Sequence, residues 1–159
     1  MAFTFTIAGK EVEINFNYRL MFKVQKELAT VNKETGEKNN DGVGVLFSAI
    51  VNEDDKGLVD LIRLCLPKGK KIEDNEIIEG IERAILELDK EDTEAGYSLL
   101  FEHIKDEMIE SGFFKKKISK YIENMQQITG YLEEQEDKES QMQIKLIKKQ
   151  IGEMESAMS

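Results

Sequence analysis

The first sixteen residues alternate between apolar and polar side chains in two short runs. The apolar positions are Phe3, Phe5, Ile7, Val12, Ile14 and Phe16. Alternation with a period of two predicts two β-strands, each with one buried face. Gly9-Lys10 suits a two-residue turn with Gly in its first central position. This turn would pair Ile7 with Val12, Phe5 with Ile14 and Phe3 with Phe16.

A hairpin of two strands is only marginally stable in water, so this one must pack against another part of the chain. The rest of the sequence has apolar residues at helical spacing. The stripes run from Leu20 to Leu28, Val45 to Val51, Leu58 to Cys65, Ile77 to Leu88, Tyr97 to Met108, Phe114 to Ile128 and Ile144 to Met158. The sequence therefore predicts a mainly α (α+β) fold, with a helical body, a small N-terminal antiparallel hairpin and a C-terminal helical tail.

Several residues predict where these helices begin and end. The candidate N-caps are Asn15 or Asn17, Asp54 or Asp55, Asp74, and Asp92 or Thr93. Residues 32–44 are polar and rich in turn formers, which predicts a surface loop. Gly112 is expected to end the helix before it in a left-handed conformation, and Gly130 to break or weaken the next helix.

The C-terminal segment has its own pattern. A charged stretch is followed by a short heptad-like seam, formed by Ile144, Ile147, Ile151, Met154 and Met158. An isolated helix cannot bury such a stripe, so it must dock on the body, dimerise, bind a partner or fray. We therefore expect a globular domain over residues 1–130 and a charged, mobile helical tail over 131–159.

The composition limits the classes of function. The chain has 159 residues and a formal net charge of −10, from 32 acidic and 22 basic residues. An acidic surface disfavours general binding of nucleic acid, because phosphate contacts require basic side chains. No apolar run approaches the ~18 residues that span a membrane, and no signal peptide is evident. The single cysteine, Cys65, excludes an internal disulfide and is expected to be a buried apolar residue in an intracellular protein.

No arrangement of residues in the sequence predicts catalysis. His103 is the one histidine, and no nucleophile or base is expected beside it, so we expect a surface or partly buried side chain. One histidine and one cysteine cannot assemble a structural zinc site, and the acidic runs lack the ligand spacing of a calcium loop. Gly42-Val43-Gly44 lacks the lysine and third glycine of a phosphate loop. We expect no enzyme activity, no metal and no cofactor.

The sequence does predict a contact surface. Two adjacent phenylalanines are followed by lysines and by an apolar stripe that contains methionine, a side chain common on adaptable binding surfaces. Together with the tail seam, the predicted partner-binding residues are Phe113, Phe114, Ile118, Tyr121, Ile122, Met125, Ile144, Ile147, Ile151 and Met154.

Four segments carry a resemblance to a known family. They are FTFTIAGKEVEINFNYRL at 3–20, GVLFSAIVNEDDKGLVDLIRLCL at 44–66, IIEGIERAILE at 77–87 and ESGFFKKKISKYIENM at 110–125. In order and character they resemble the tail assembly chaperones of long, flexible-tailed phages of low-GC Gram-positive bacteria. The resemblance covers roughly residues 3–125 and includes no catalytic signature.

The resemblance implies a non-catalytic protein that acts in the cytoplasm of the infected host and is absent from the mature virion. It implies binding to the tape measure protein, which the chaperone would keep soluble, and recruitment of tail tube subunits. We expect a homo-oligomer, or many copies on one client. Two alternatives remain open: an acidic adapter or regulator that dimerises through 144–158, and a small structural protein of the phage tail, such as a completion or connector subunit.

Overall fold

The computed structural model describes residues 2–69, 71–135 and 137–159. In these ranges the chain forms a two-stranded antiparallel hairpin followed by seven helices, which confirms the predicted fold class. The elements are β1 (Ala2–Ile7), β2 (Lys10–Asn15), α1 (Tyr18–Glu27), α2 (Gly42–Val51), α3 (Asp55–Cys65), α4 (Asp74–Leu88), α5 (Thr93–Glu110), α6 (Gly112–Glu133) and α7 (Lys138–Met158). One apolar core joins the hairpin to the helices.

The hairpin turns one residue earlier than predicted. Ala8 and Gly9 occupy the turn with φ of 52° and 76°, the positive values that a type I′ turn requires. The paired residues are Phe3 with Ile14, Phe5 with Val12 and Ile7 with Lys10. The predicted pairs were wrong. The observed register is shifted by two residues along β2 from the predicted register. Both therefore bury the same face, and alternation alone cannot separate them.

In the observed register Phe16 has no partner in β1, and its side chain packs against α6. Its ring meets Phe114 edge to face, with centroids 5.1 Å apart. The junction between α5 and α6 lies beside it, where the hydroxyl of Ser111 donates to the carbonyl of Phe16 over 2.8 Å. Ser111 is both the C-cap of α5 and the N-cap of α6. The predicted left-handed C-cap at Gly112 was wrong, because Ser111 already turns the chain and Gly112 is the first residue of α6.

A glycine in α4 allows the hairpin to approach that helix closely. A Cβ atom on Gly80 would lie 2.7 Å from Cγ1 of Ile7 and 2.8 Å from the carbonyl oxygen of Thr6. Arg83, one turn further along α4, donates from Nη1 to the same Thr6 oxygen over 3.0 Å. The glycine that interrupts the apolar stripe of α4 is therefore the place where β1 crosses the helix.

Helix α2 lies in the middle of the helical body, in contact with α1, α3, α5, α6 and α7. It begins at Gly42, so the predicted loop extends three residues too far. A Cβ atom on Gly42 would lie 2.1 Å from the carbonyl oxygen of Val24 in α1, and one on Gly44 would lie 2.0 Å from Cγ of Tyr121 in α6. Both positions are helical and require glycine, because a side chain at Gly42 would collide with α1 and one at Gly44 would collide with α6.

Most of the predicted N-caps are confirmed. Asn17, Asp54 and Asp92 each accept a hydrogen bond from a backbone N–H in the first turn of α1, α3 and α5. The prediction for α4 was wrong by one residue: Glu73 is the N-cap and forms a capping box with Glu76, while Asp74 begins the helix.

Helix α6 continues through Gly130 to Glu133, so the predicted break was wrong. A Cβ atom on Gly130 would meet no neighbouring element within 4 Å. Near this end the buried face also differs from the predicted stripe. Ile128 is exposed, whereas Thr129 is buried and its hydroxyl donates to the carbonyl of Met125 over 2.9 Å.

Helix α7 packs against α6 and α2. Gln126 of α6 bonds to Glu155, and Glu133 forms an ion pair with Lys148, so the two helices run antiparallel. Gln150 also donates to the Ser48 hydroxyl of α2 over 2.9 Å. Three residues of the predicted seam are buried, namely Ile144, Ile151 and Met154. The division of the chain into a body and a mobile tail at residue 130 stays a prediction.

Candidate functional site

The structure places most of the predicted partner-binding residues in the interior. Those buried are Phe114, Ile118, Ile122, Met125, Ile144, Ile151 and Met154, while Tyr121 and Ile147 are half-buried. They lie on α6 and α7, which pack against each other and against α2. Phe113 alone of the ten is exposed, with 50% of its surface accessible. A role in partner binding stays a prediction for all ten, and Phe113 is the one among them that is largely exposed in the folded conformation.

Phe113 belongs to a cluster that the sequence pattern did not indicate. Tyr18 at the start of α1 and Phe22, one turn later, are 58% and 59% exposed. The Tyr18 ring meets Phe113 edge to face, with centroids 5.4 Å apart. We call Tyr18, Phe22 and Phe113 the aromatic patch. The available signal was the four-residue spacing of Tyr18 and Phe22, which lies beside the main apolar stripe of α1.

A groove of about 400 Å³ adjoins the aromatic patch. Helix α1, the loop before α2 and the second turn of α6 form its walls. Its lining residues are Tyr18, Met21, Phe22, Gln25, Lys26, Lys38, Asn39, Asn40 and Lys117. We call it the lysine-rimmed groove, because three lysines and no carboxylate are among these residues.

Hydrogen bonds hold the loop wall of the groove in place. Gln25 donates from its side chain to the carbonyl of Asn40 over 2.5 Å and accepts from the backbone N–H of Val43 over 2.9 Å. Lys38 donates from Nζ to the carbonyl of Lys26 at the end of α1. Residues on α1, the loop and the start of α2 are thus connected, so the groove is a defined feature of the fold.

The electrostatics of the groove differ from those of the whole chain. The net charge is −10, yet Lys26, Lys38 and Lys117 form no salt bridge with any residue that the structure describes. Asp41, which directly precedes α2, accepts a hydrogen bond from the backbone N–H of Thr30 over 2.8 Å. The ammonium group of Lys38 donates to the carbonyl of Lys26, and none of the three cations has a carboxylate partner in the described ranges.

His103 and Cys65, the single histidine and the single cysteine, lie on different helices. His103 is exposed on α5, and its ring lies 6.4 Å from that of Phe3. Cys65 is half-buried on α3. Across residues 2–69, 71–135 and 137–159, no group of three or more histidine, cysteine, aspartate or glutamate side chains could hold a metal ion.

Tyr97 has a structural contact with a strong effect on its ionisation. Its hydroxyl lies 2.8 Å from the Asp55 carboxylate and 3.0 Å from the carbonyl oxygen of Glu53. Burial, the hydrogen bond to Asp55 and the neighbouring negative charges raise the pKa of Tyr97 to about 12. The phenol therefore stays protonated and ties α5 to the turn between α2 and α3.

Cys65 is expected to react slowly in the native protein. Burial raises the pKa of its thiol to about 11, so that near pH 8 only about 0.1% is the reactive thiolate. An aromatic disulfide reagent should modify Cys65 roughly a hundredfold faster in denaturing urea, where the pKa returns to about 8.5. The absorbance of the released thiol measures both rates, with glutathione as the exposed reference. A native rate equal to that of glutathione would contradict the expectation.

No helix in the described part of the chain is both long and apolar enough to cross a membrane.

The comparisons with known proteins give one match. The family model of the phage tail assembly chaperone protein, TAC, matches residues 4–123, about three quarters of the chain. No curated protein and no solved structure matches. The matched segment starts in β1 and ends in α6, and it contains most of the hairpin, the central α2 and every residue of the lysine-rimmed groove. The chain therefore belongs to the phage tail assembly chaperone family.

Proposed function

We propose that this chaperone binds the tape measure protein of a long, flexible-tailed phage of Gram-positive bacteria and keeps it soluble. It also recruits tail tube subunits to that client. The family match over residues 4–123 is the observation that carries the proposal. The protein acts without catalysis in the cytoplasm of the infected host and is absent from the mature virion.

The surface properties support a role in keeping a client dispersed. A long helical client that is poorly soluble alone needs a partner that covers apolar side chains and adds net charge. The aromatic patch offers exposed apolar area, and the net charge of −10 opposes aggregation of the complex. We propose that several copies, or a homo-oligomer, coat one client.

Co-expression with the tape measure protein tests the proposal. The soluble fraction of the tape measure protein after ultracentrifugation should rise severalfold, and the two proteins should co-purify through a tag on the client. Co-expression with an unrelated acidic protein of similar size is the control. An unchanged soluble fraction together with no co-purification would refute the proposed function.

The two alternatives predict other results. A structural tail protein would appear in the mass spectrum of purified phage particles, where a chaperone should be missing. An adapter that dimerises through 144–158 would become monomeric on truncation at Glu133 while its body stayed folded. Ile144, Ile151 and Met154 are buried within the same chain. Their burial does not support a seam that is open for dimerisation, and so it does not support this adapter.

A further inference from the structure

We propose that the lysine-rimmed groove, with the aromatic patch, binds an amphipathic helix of the client that carries aspartate or glutamate beside its apolar anchor residues. The inference rests on the proposed function for the identity of the client. It adds the surface that makes the contact and the chemistry of the segment that this surface selects.

The apolar part of the surface suits a helix. Tyr18 and Phe22 lie one turn apart on α1, and Phe113 packs on Tyr18 from α6, so exposed rings stand beside an open groove. Helices that dock in apolar grooves do so through anchors three or four residues apart. Exposed aromatic rings suit such contacts, because they bury a large area and lose little conformational freedom.

The charged part of the surface selects the sign of the partner. Lys26, Lys38 and Lys117 line the groove without a salt bridge to any residue in the described ranges, while the chain as a whole carries a charge of −10. An acidic segment is repelled by the net charge of this protein and attracted by these three lysines. Complementary charge of this kind orients a partner and suppresses other sites more than it raises affinity.

Nucleic acid is a poorer occupant than an acidic helix. A phosphate backbone is a continuous line of negative charge, and its binding depends on a correspondingly long row of cations. Three lysines beside exposed aromatic rings, on a protein with a large excess of carboxylates, fit a short segment with mixed apolar and acidic side chains.

Binding of overlapping 20-residue peptides that cover the tape measure protein tests the inference, with fluorescence anisotropy as the readout. The peptides that bind should combine apolar residues at helical spacing with flanking aspartate or glutamate. Phe22→Ala should weaken their binding by about tenfold or more, as for a central interface anchor. Lys117→Glu should weaken it severalfold and reduce its dependence on salt, because an attractive charge becomes a repulsive one.

Two matched variants serve as controls. Leu146→Ala removes an exposed apolar side chain from α7, and Lys145→Glu makes the same charge reversal at an exposed position on that helix. Both should bind peptides as the unaltered protein does. Circular dichroism and thermal melting of all four variants show that each remains folded. Replacing the acidic residues of a bound peptide with lysine should abolish its binding to the unaltered protein, and Lys117→Glu should recover part of that binding, because two of the three groove lysines remain.

The outcomes separate this inference from the proposed function. If the tape measure protein co-purifies while Phe22→Ala and Lys117→Glu bind peptides normally, the groove assignment is wrong and the chaperone function stands. If neither the full-length client nor any peptide binds, both are wrong. If the two variants abolish self-association in sedimentation experiments and leave peptide binding unchanged, the groove is a contact between copies and the inference is overturned.

Discussion

A Phe5→Asp variant is expected to be unfolded at room temperature. Phe5 is 1% exposed, and its ring lies 4.9 Å from that of Phe3 on the buried face of the hairpin. Truncating a buried phenylalanine costs about 3–5 kcal/mol, and a buried unpaired carboxylate adds to that cost. Domains are stable by only about 5–15 kcal/mol. Far-UV circular dichroism and urea titration measure the loss, and client binding should disappear with the fold.

Thr4→Asp is the matched control, because Thr4 is exposed on the opposite face of the same strand. The new carboxylate would face Glu13 across the hairpin, and a like-charge pair of this kind costs about 0.2–1 kcal/mol. This variant should therefore fold. A Phe5→Asp protein with a normal melting transition would contradict the burial of this face. If it folded normally and failed to bind the client, the hairpin itself would be a contact surface.

Gly42→Ala is expected to lower the stability by about 3 kcal/mol, at the upper end of the range for overpacked sites. The new methyl group would lie 2.1 Å from the carbonyl oxygen of Val24 and 2.8 Å from Cα of Gln25. Both atoms belong to the backbone of α1, so no side-chain rotation can relieve the contact, and α1 must move away from α2. For a chain of this size, thermal melting should show a decrease of about 6–12 °C.

Gly130→Ala provides the comparison, because it makes the same change inside a helix where no neighbouring element lies within 4 Å of the new methyl group. Alanine favours a helix interior by about 0.5–1 kcal/mol over glycine, so this variant should be slightly more stable than the parent. If both substitutions raised the melting temperature, the close approach of α1 and α2 at Gly42 would be refuted.

The hairpin shows that an alternating pattern predicts the buried face of a strand but not the register of its pairing. Phe5 and Ile14 are on the buried face as the pattern predicts, because side chains on a strand point alternately to its two faces. The register depends instead on the turn, where Ala8 and Gly9 both take positive φ, and on the packing of Phe16 against Phe114. Neither is visible in the alternation, which is the same in both registers.

The candidate site shows the same limit for helices. The period of 3.6 residues identifies which side of α6 and of α7 is apolar, but it does not state what covers that side. The stripe that suggested a binding surface is largely covered within the chain, by α2 and by the packing of α6 against α7. The aromatic patch and the lysine-rimmed groove combine residues from α1, the following loop and α6, which come together only in the folded chain.

The sequence by itself determined the fold class, most of the buried faces of the strands and helices, and the N-caps of α1, α3 and α5, because these follow from local periodicity and from side chains that bond to nearby backbone. Tertiary structure alone decided the register of the hairpin, the close approach of other elements at Gly42, Gly44 and Gly80, and the surface that stays exposed to a partner. These features depend on which elements approach one another, and each approach joins residues that are distant along the chain.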